Sequence, residues 1–494
     1  MANDVNKTLL CGQKLSIILS GTLILFACNI NGRHPAQAAG PLKVHPLNPR
    51  YFTDGTGKAV YLTGSHTWAN FQDAGTTDPP SAFDYTAYLD FLEDHNHNFF
   101  RLWTWEQAKW TNETRQPYWI APVPYQRTGP RTDPDGEPRF DLTKFNEAYF
   151  KRLRSRVIEA GPRGMYVAIM LFNGWSLERA KGASAFSAQN NPWAGHPFNR
   201  DNNSNGIDGD PNGDGKGDEI HTLRVPEITA MQEAYVRKVI DTVNDLDNIL
   251  FEISNESPSN SQDWQYYMIN YIKRYEASRP KQHPVGMTVE YPNGSNEDLF
   301  TSPADWISPN QGSETYLKNP LASNGSKVIL SDTDHLCGIC GNRSWVWKSF
   351  TRGMNPIFMD VYDRVAAGVA GLDFDENNEN WVSVRKNLGY TRDYANRMNL
   401  AKMSPHDSLS SSGYCLANPA GTSAEYLVYL PDGGATTINL SGISGHLTVE
   451  WFNPAAGVTV PGGTTTGGAT RSFTSPFGGD AVLYIWSVPT NAAT

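Results

Sequence analysis

Cysteine is scarce in this 494-residue chain: five in all, two of which, Cys11 and Cys28, fall within the first 38 residues. A disulfide-dense scaffold is thereby excluded, and Cys337, Cys340 and Cys415 leave a zinc site without its second pair. The pair in "CGIC" (337–340) has two readings, a tight local disulfide in an oxidising compartment or loop cysteines of no catalytic role. Positive charge is also in deficit. Lys and Arg number 41 against 51 Asp and Glu, a formal net charge of −10, which disfavours nucleic-acid and anionic-membrane partners. Long apolar runs are missing beyond residue 28. The single candidate, "LSIILSGTLILFAC" (15–28), follows Lys7 and Lys14, is short for a spanning helix, and precedes an A-x-A pattern at Ala36–Gln37–Ala38. Residues 1–38 read as an export signal, so the expected location is secreted or periplasmic, with no further membrane association. "LFAC" offers a competing lipoprotein reading with Cys28 as the lipidated residue, a pattern that Phe26 fits poorly.

What is present is the composition of a soluble globular protein, 39% hydrophobic and 19% charged, with many aromatics (12%, 14 of them Trp). Between about 58 and 400, eight short apolar runs alternate with amphipathic segments. The runs are 59–68, 98–105, 165–175, 248–256, 284–291, 305–310, 327–335 and 355–363. Nearly continuous apolar strands suit a parallel sheet covered on both faces. Leu142, Phe145, Tyr149, Phe150, Leu153 and Val157 fall on one helical face, as do Ile228, Met231, Tyr235, Val236, Val239 and Val243 behind Pro226. Ser81 and Asp84 open an earlier helix in the manner of a capping box. Eight strand–helix units predict an α/β fold, a (β/α)8 TIM barrel, over residues 40–404. Residues 405–494 change texture. Short strand patterns separated by Gly, Pro and Asp turns predict a small all-β sandwich, with "VPGGTTTGGAT" (460–470) as an exposed hairpin loop.

In such a barrel the chemistry sits at the C-terminal ends of the strands. Reading those ends gives His66, Arg101, Trp103, Glu106, Asn173, Trp175, Asn255, Glu256, Glu290, Asn310, Asp332, Asp334 and Asp360. Any one of these acids is, taken alone, as readily a solvated loop residue or an ion-pair partner. Several carboxylates on one rim point to glycoside cleavage, which needs two carboxyl groups flanking the bond, one of them protonated near neutrality by burial or by a neighbouring carboxylate. Glu252, four residues before Glu256, lies deeper and is read as part of an internal polar layer.

"LFEISNES" (250–257) resembles the fourth-strand signature of clan A glycoside hydrolases, in which a Glu preceded by Asn is the acid/base. The resemblance implies Glu256 as acid/base, Asn255 on the sugar hydroxyl next to the anomeric carbon, and Arg101 of "FFRL" orienting the nucleophile. The clan's nucleophile is normally a Glu ending strand seven; here "VILSDTDH" puts Asp332 at that position and Asp334 two residues on, with the same strand parity. Asp reaches about 1.5 Å less than Glu, one C–C bond, so retention and inversion both stay open. More broadly, "NPRYFTDGTGKAVYLTGSHTW", "FDLTKFNEAYFKRLRSRV" and "VEWFNPAAG" resemble bacterial secreted barrels related to apiosidase-like hydrolases, which end in a collagen-binding-type β-module. The expected function is hydrolysis of O-glycosidic bonds in a plant or microbial poly- or oligosaccharide, with Glu256 as proton donor, Asp332 attacking the anomeric carbon or activating water, and Asp334 as the second candidate for the role of Asp332. His66, Arg101, Trp103, Glu106, Asn173, Trp175, Asn255 and Glu290 are the expected substrate contacts. The alternative is a carbohydrate-binding surface protein in which catalysis has lapsed, which the Asp at the nucleophile position favours.

The insertion "DNNSNGIDGDPNGDGKGDE" (201–219) has calcium-loop spacing in two registers. One uses Asp208, Asp210, Asn212, Gly213 and Glu219; the other uses Asp210, Asn212, Asp214, Gly215 and Asp218. Carboxylates at alternate positions wrap a hard cation, and the glycines permit the turn, so a structural Ca2+ is expected and no organic cofactor. An acidic loop without metal is the competing reading. Trp110, Tyr118, Trp119 and Tyr125 gather after strand two, where stacking on sugars and packing of the loop are equally good readings.

Overall fold

The computed structural model describes residues 40–111, 117–133, 135–177, 191–310, 314–369 and 371–487, which form one compact unit. The export-signal and lipidation readings fall on residues 1–39, outside the described residues. Among the described residues no helix is long and apolar enough to cross a membrane.

Eight parallel strands form the barrel: β1 (Gly64–His66), β2 (Phe99–Leu102), β3 (Tyr166–Asn173), β4 (Ile249–Asn255), β5 (Val285–Thr288), β6 (Trp306–Ser308), β7 (Val328–Asp332) and β8 (Asn355–Met359). Each lies beside its sequence neighbour, β8 pairs with β1, and the seam between β1 and β2 is bridged by the Asn98 amide donating to the Thr63 carbonyl at 3.0 Å. All eight coincide with the apolar runs of the sequence. Their apolarity on both faces has a simple cause. Val167, Ile169, Leu171, Phe251, Ile253, Val285, Met287 and Ile307 pack outward under the helices, whereas Phe99, Tyr166, Ala168, Leu250, Trp306, Val328, Leu330 and Ile357 fill the barrel interior. Gly286 sits on an inward position because Trp306 occupies the space: an added Cβ would lie 1.9 Å from the indole ring.

The outer helices are α1 (Tyr85–Asp94), α2 (Glu147–Ala160), α3 (Pro226–Val243), α4 (Gln262–Glu276), α5 (Asn296–Thr301), α6 (Arg343–Thr351) and α7 (Glu379–Arg397). Asp84, not Ser81, caps α1, accepting from the Ala87 amide at 3.0 Å. α3 starts at Pro226 as its missing N–H allows. One expectation is corrected. Leu142 and Phe145 share the helical spacing of α2 but belong to a strand, Pro138–Phe145, paired with Tyr125–Thr132; Asn146 then caps α2 by accepting from the Ala148 amide.

Beyond α7 the chain forms an antiparallel sheet of Ser404–Pro405, β9 (Cys415–Asn418), β10 (Glu425–Leu430), β12 (His446–Asn453), β13 (Val458–Thr466) and β15 (Ala481–Ser487). A two-stranded ribbon, β11 (Ala435–Asn439) with β14 (Thr470–Thr474), completes it. Side chains alternate between two destinations. Cys415, Ala417, Tyr426, Val428, Leu483 and Ile485 pack with Ile438 of the ribbon, while Leu416, Leu427, Tyr429, Val482 and Tyr484 pack with Trp347 and Phe350 of α6 and Tyr394 of α7. Both faces are therefore covered. The "VPGGTTTGGAT" segment is not a loop throughout: as far as Thr466 it is strand β13, held by pairing to β12 across a bulge at Val449/Glu450.

Candidate active site

The rim at the C-terminal ends of the strands encloses a pocket of about 490 Å3 lined by Trp68, Trp103, Trp105, Trp110, Trp175, Tyr291, Asn310, Met359 and the 334–338 segment, with Glu256 and Asp334 as its carboxylates. One wall is a run of indoles, Trp103 and Trp105 at 5.9 Å between ring centroids and Trp105 and Trp110 at 5.5 Å. The other is Trp175 stacked on Tyr291 at 6.2 Å. Flat apolar faces with a few polar groups between them suit sugar rings.

Arg101 is the centre of the site. From β2 it enters the barrel interior and meets Glu252 of β4 in a two-pronged ion pair, Nε to Oε2 at 2.8 Å and Nη2 to Oε1 at 2.5 Å. Its remaining donors reach Asp334 at 2.7 Å, Asp332 at 3.2 Å and the Asn255 amide oxygen at 2.7 Å. Burial works against the guanidinium charge, but Glu252, Asp332 and Asp334 outweigh it and hold the Arg101 pKa well above its ordinary value.

The two aspartates of β7 separate in role. Asp332 is 1% exposed and does not line the pocket. It caps the short helix Thr333–Leu336 by accepting from the Asp334 amide at 3.0 Å and meets His66 Nε2 at 2.9 Å. Burial opposes its ionisation, yet His66 and Arg101 hold its pKa below the usual carboxylate range. Asp334 is 9% exposed and opens into the pocket. Burial and the neighbouring Asp332 charge push its pKa up against the pull of Arg101.

Glu256 follows the last residue of β4 with a φ of 44°, an unusual conformation for a side-chain-bearing residue that costs about 1 kcal/mol or more. It is 6% exposed, and its carboxylate accepts a hydrogen bond from the Trp175 indole. Asn255 accepts from Arg101 and from His335 Nε2 (3.1 Å) through one oxygen, leaving its buried Nδ2 without a partner among the described residues. Because the Asn255 oxygen can only accept, His335 Nε2 carries the proton, and Nδ1 of the neutral ring accepts from the Ser308 hydroxyl at 2.6 Å; burial and Arg101 depress the His335 pKa well below its usual value.

The other expected contacts sit elsewhere. His66 is buried against Trp103, their rings stacked at 5.6 Å, and meets Asp332 rather than lining the pocket itself. Asn173 donates to the Thr104 carbonyl and accepts from the Trp175 amide, so it holds Trp175 rather than lining the cavity. Glu106 accepts the Asn173 amide at 2.8 Å; burial opposes its charge, but His196 and His221 hold its pKa down to about 2. Glu290 turns to Gln265 of α4, and burial raises its pKa to about 7. His335, Tyr291, Trp68 and Trp105 complete the pocket or its floor without having been singled out in the sequence. The signal for His335 was its place in "SDTDH"; the others follow strand ends directly. Of the aromatic group after β2, Trp110 lines the pocket, Tyr118 packs behind it, and Trp119 faces a second groove. Cys337 and Cys340 form a disulfide at the pocket edge, and Cys415 is a buried thiol.

A family model described as "Putative collagen-binding domain of a collagenase" matches residues 410–485. No curated protein matches the chain in sequence. Among solved structures, a glycoside hydrolase of family 5 from Bacteroides vulgatus aligns with a TM-score of 0.57 at 13% identity, covering 93% of this chain and 96% of that one. A second, titled glycoside hydrolase, aligns with 0.57 at 12% identity over 93% and 100%. At this identity the likeness is one of fold: a (β/α)8 barrel followed by a β-domain.

Proposed function

We propose that the chain is a glycoside hydrolase acting on an oligo- or polysaccharide, exported from the cell, with Glu256 as proton donor to the leaving oxygen and Asp334 as the facing carboxylate. One observation carries the reading: two carboxylates from β4 and from the turn after β7 open into one indole-walled pocket at the catalytic end of the barrel. A carboxylate whose pKa is raised is the stronger base, which suits Asp334 to activating water or attacking the anomeric carbon. Arg101 orients it. Asp332 serves as the positioning residue that ties His66, Arg101 and the Asp334 amide together, and the Nδ2 of Asn255, a donor with no partner among the described residues, suits a sugar hydroxyl. The resemblance to clan A supports the same roles for Glu256, Asn255 and Arg101. The disulfide at 337–340 is compatible with an oxidising compartment.

The test is hydrolysis of a polysaccharide panel by wild type, Glu256→Gln and Asp334→Asn. Wild type is expected to release sugar and each variant to lose about 10²–10⁴-fold in kcat. Glycan binding without any sugar release by wild type would replace this reading with that of a carbohydrate-binding protein. The anomer of the first product, followed by NMR, distinguishes retention from inversion.

A further inference from the structure

The acidic insertion takes no part in the pocket, and the hydrolytic reading leaves it unexplained. Its glycines let it lie close on the fold: a Cβ on Gly217, whose φ is 69°, would stand 2.3 Å from the Trp193 ring. Of the two calcium-loop registers, the structure favours the second. Asp208 stands apart, one oxygen taking the Asp210 amide and the other 3.7 Å from Arg200. Asp210 instead gathers the loop, accepting from the Gly215 amide at 2.8 Å and the Asp214 amide at 3.2 Å; the left-handed backbone that the sixth position requires is present in both registers, at Gly213 (φ 72°) and Gly215 (φ 80°).

A second observation is one of burial, and it concerns Glu219, the last residue of the insertion and the closing acid of the first register. Glu219 is only 4% exposed, and its Oε2 is buried with no hydrogen-bond partner among the described residues, while Oε1 accepts from the Asn212 side chain. A buried carboxylate oxygen without a donor is costly and calls for an ion or water. Among the described residues, Lys216 stands 3.4 Å from Asp214 and Arg200 3.7 Å from Asp208.

We propose that residues 210–219 bind one calcium ion through the side chains of Asp210, Asn212, Asp214, Asp218 and Glu219. The set mixes carboxylate and amide oxygens on a flexible, glycine-rich loop. That suits Ca2+, which takes six to eight oxygens in loose geometry, better than Mg2+, which demands a near-ideal octahedron. Among the described residues no three Asp, Glu, His or Cys side chains already stand at metal-ligating spacing. Binding therefore draws the set together, with the Asn212 amide turning its oxygen inward in place of the Nδ2 contact to Glu219. The consequence reaches inward along the chain. Glu219 lies in the turn Asp218–His221, and the His221 ring stacks on Trp264 at 4.5 Å, meets Glu106 at 3.3 Å and faces the Ser257 hydroxyl at 3.0 Å. The ion thereby anchors a turn that braces the exit of β4. This site does not depend on the hydrolytic reading.

The test uses the full chain, freed of metal with EDTA and titrated with CaCl2 in a calorimeter, with thermal unfolding in parallel. One Ca2+ per chain is expected, with Tm raised by about 2–4 °C at a hundredfold excess over Kd, and a smaller shift with MgCl2. The Asp210→Ala/Asp214→Ala double variant, altered only on the outer loop, is expected to fold with the Tm of metal-free wild type and to lose both heat and shift. Glu219→Gln is expected to weaken binding at least tenfold. Absence of heat together with an unchanged Tm in wild type would overturn the proposal, as would a full response in the double variant, which would put the ion elsewhere.

Discussion

Asp332 and Asp334 are two residues apart, share strand parity in the sequence, and meet the same guanidinium, yet only one of them faces the cavity. What separates them is the four-residue helix that begins at Thr333. It turns Asp332 into a cap and lifts Asp334 over the rim. Their substitutions are expected to fail differently. Asp332→Asn removes one partner from a buried ion-pair network, so about 3 kcal/mol of stability is expected to be lost, measured by urea unfolding, with a smaller effect on turnover. Asp334→Asn is expected to leave Tm nearly unchanged and to remove turnover. The reverse pattern would return the chemistry to Asp332. Glu290 gives a pH signature. The folded protein keeps its proton up to about pH 7, whereas the unfolded chain releases it near 4.5. Its contribution is thus complete below pH 4.5 and is lost as pH rises through 7, a slope worth about 3 kcal/mol in total. Glu106 acts in the opposite sense: with a folded pKa near 2, its contribution is present above pH 4.5 and fades as pH falls toward 2. Chemical unfolding of wild type and Glu290→Gln between pH 4.5 and 8 is expected to show the first slope in wild type alone.

At the scale of elements, all eight barrel strands were legible, because a strand buried on both faces must be apolar nearly throughout. The polar residues that interrupt such runs at Arg101, Glu252, Glu256 and Asp332 stood out for the same reason. Less was legible where one pattern serves two structures. Leu142 and Phe145 keep helical spacing with α2 but pair in a strand, since spacing of three and four does not reveal where Asn146 starts the helix. Strand-end position also overstated the number of pocket residues. His66, Asn173, Glu106 and Glu290 occupy the right level of the barrel, but whether a side chain turns toward the pocket or the helices depends on neighbours far away in sequence, such as Thr104, Gln265 and Asp332. Barrel closure itself rests on size matching. Gly286→Ala would drive a methyl into Trp306, and a loss of about 3 kcal/mol is expected, seen as a lower urea midpoint with an unchanged slope; no loss would mean that the interior is looser than the Gly286–Trp306 contact indicates.

Across the whole molecule, Trp347 of α6 ties the outer helices of the barrel to the sheet of the β-domain. Its indole donates to Asn387 of α7 at 2.8 Å, and its ring meets Tyr394, Tyr429 of β10 and Phe452 of β12. Trp347→Ala is expected to cost about 3–5 kcal/mol and to split a single calorimetric transition into two, the β-domain uncoupling from the barrel. The sequence showed the change of texture at 404 but not this seam, because "EYLVYL" reads as a core strand whichever partner covers its second face. The doubly covered sheet has a consequence for exchange of parts during evolution. A module with a free face can be moved between unrelated proteins by a linker alone. This one can be moved only together with helices shaped like α6 and α7, so recombination is expected to transfer barrel and β-domain as one heritable block.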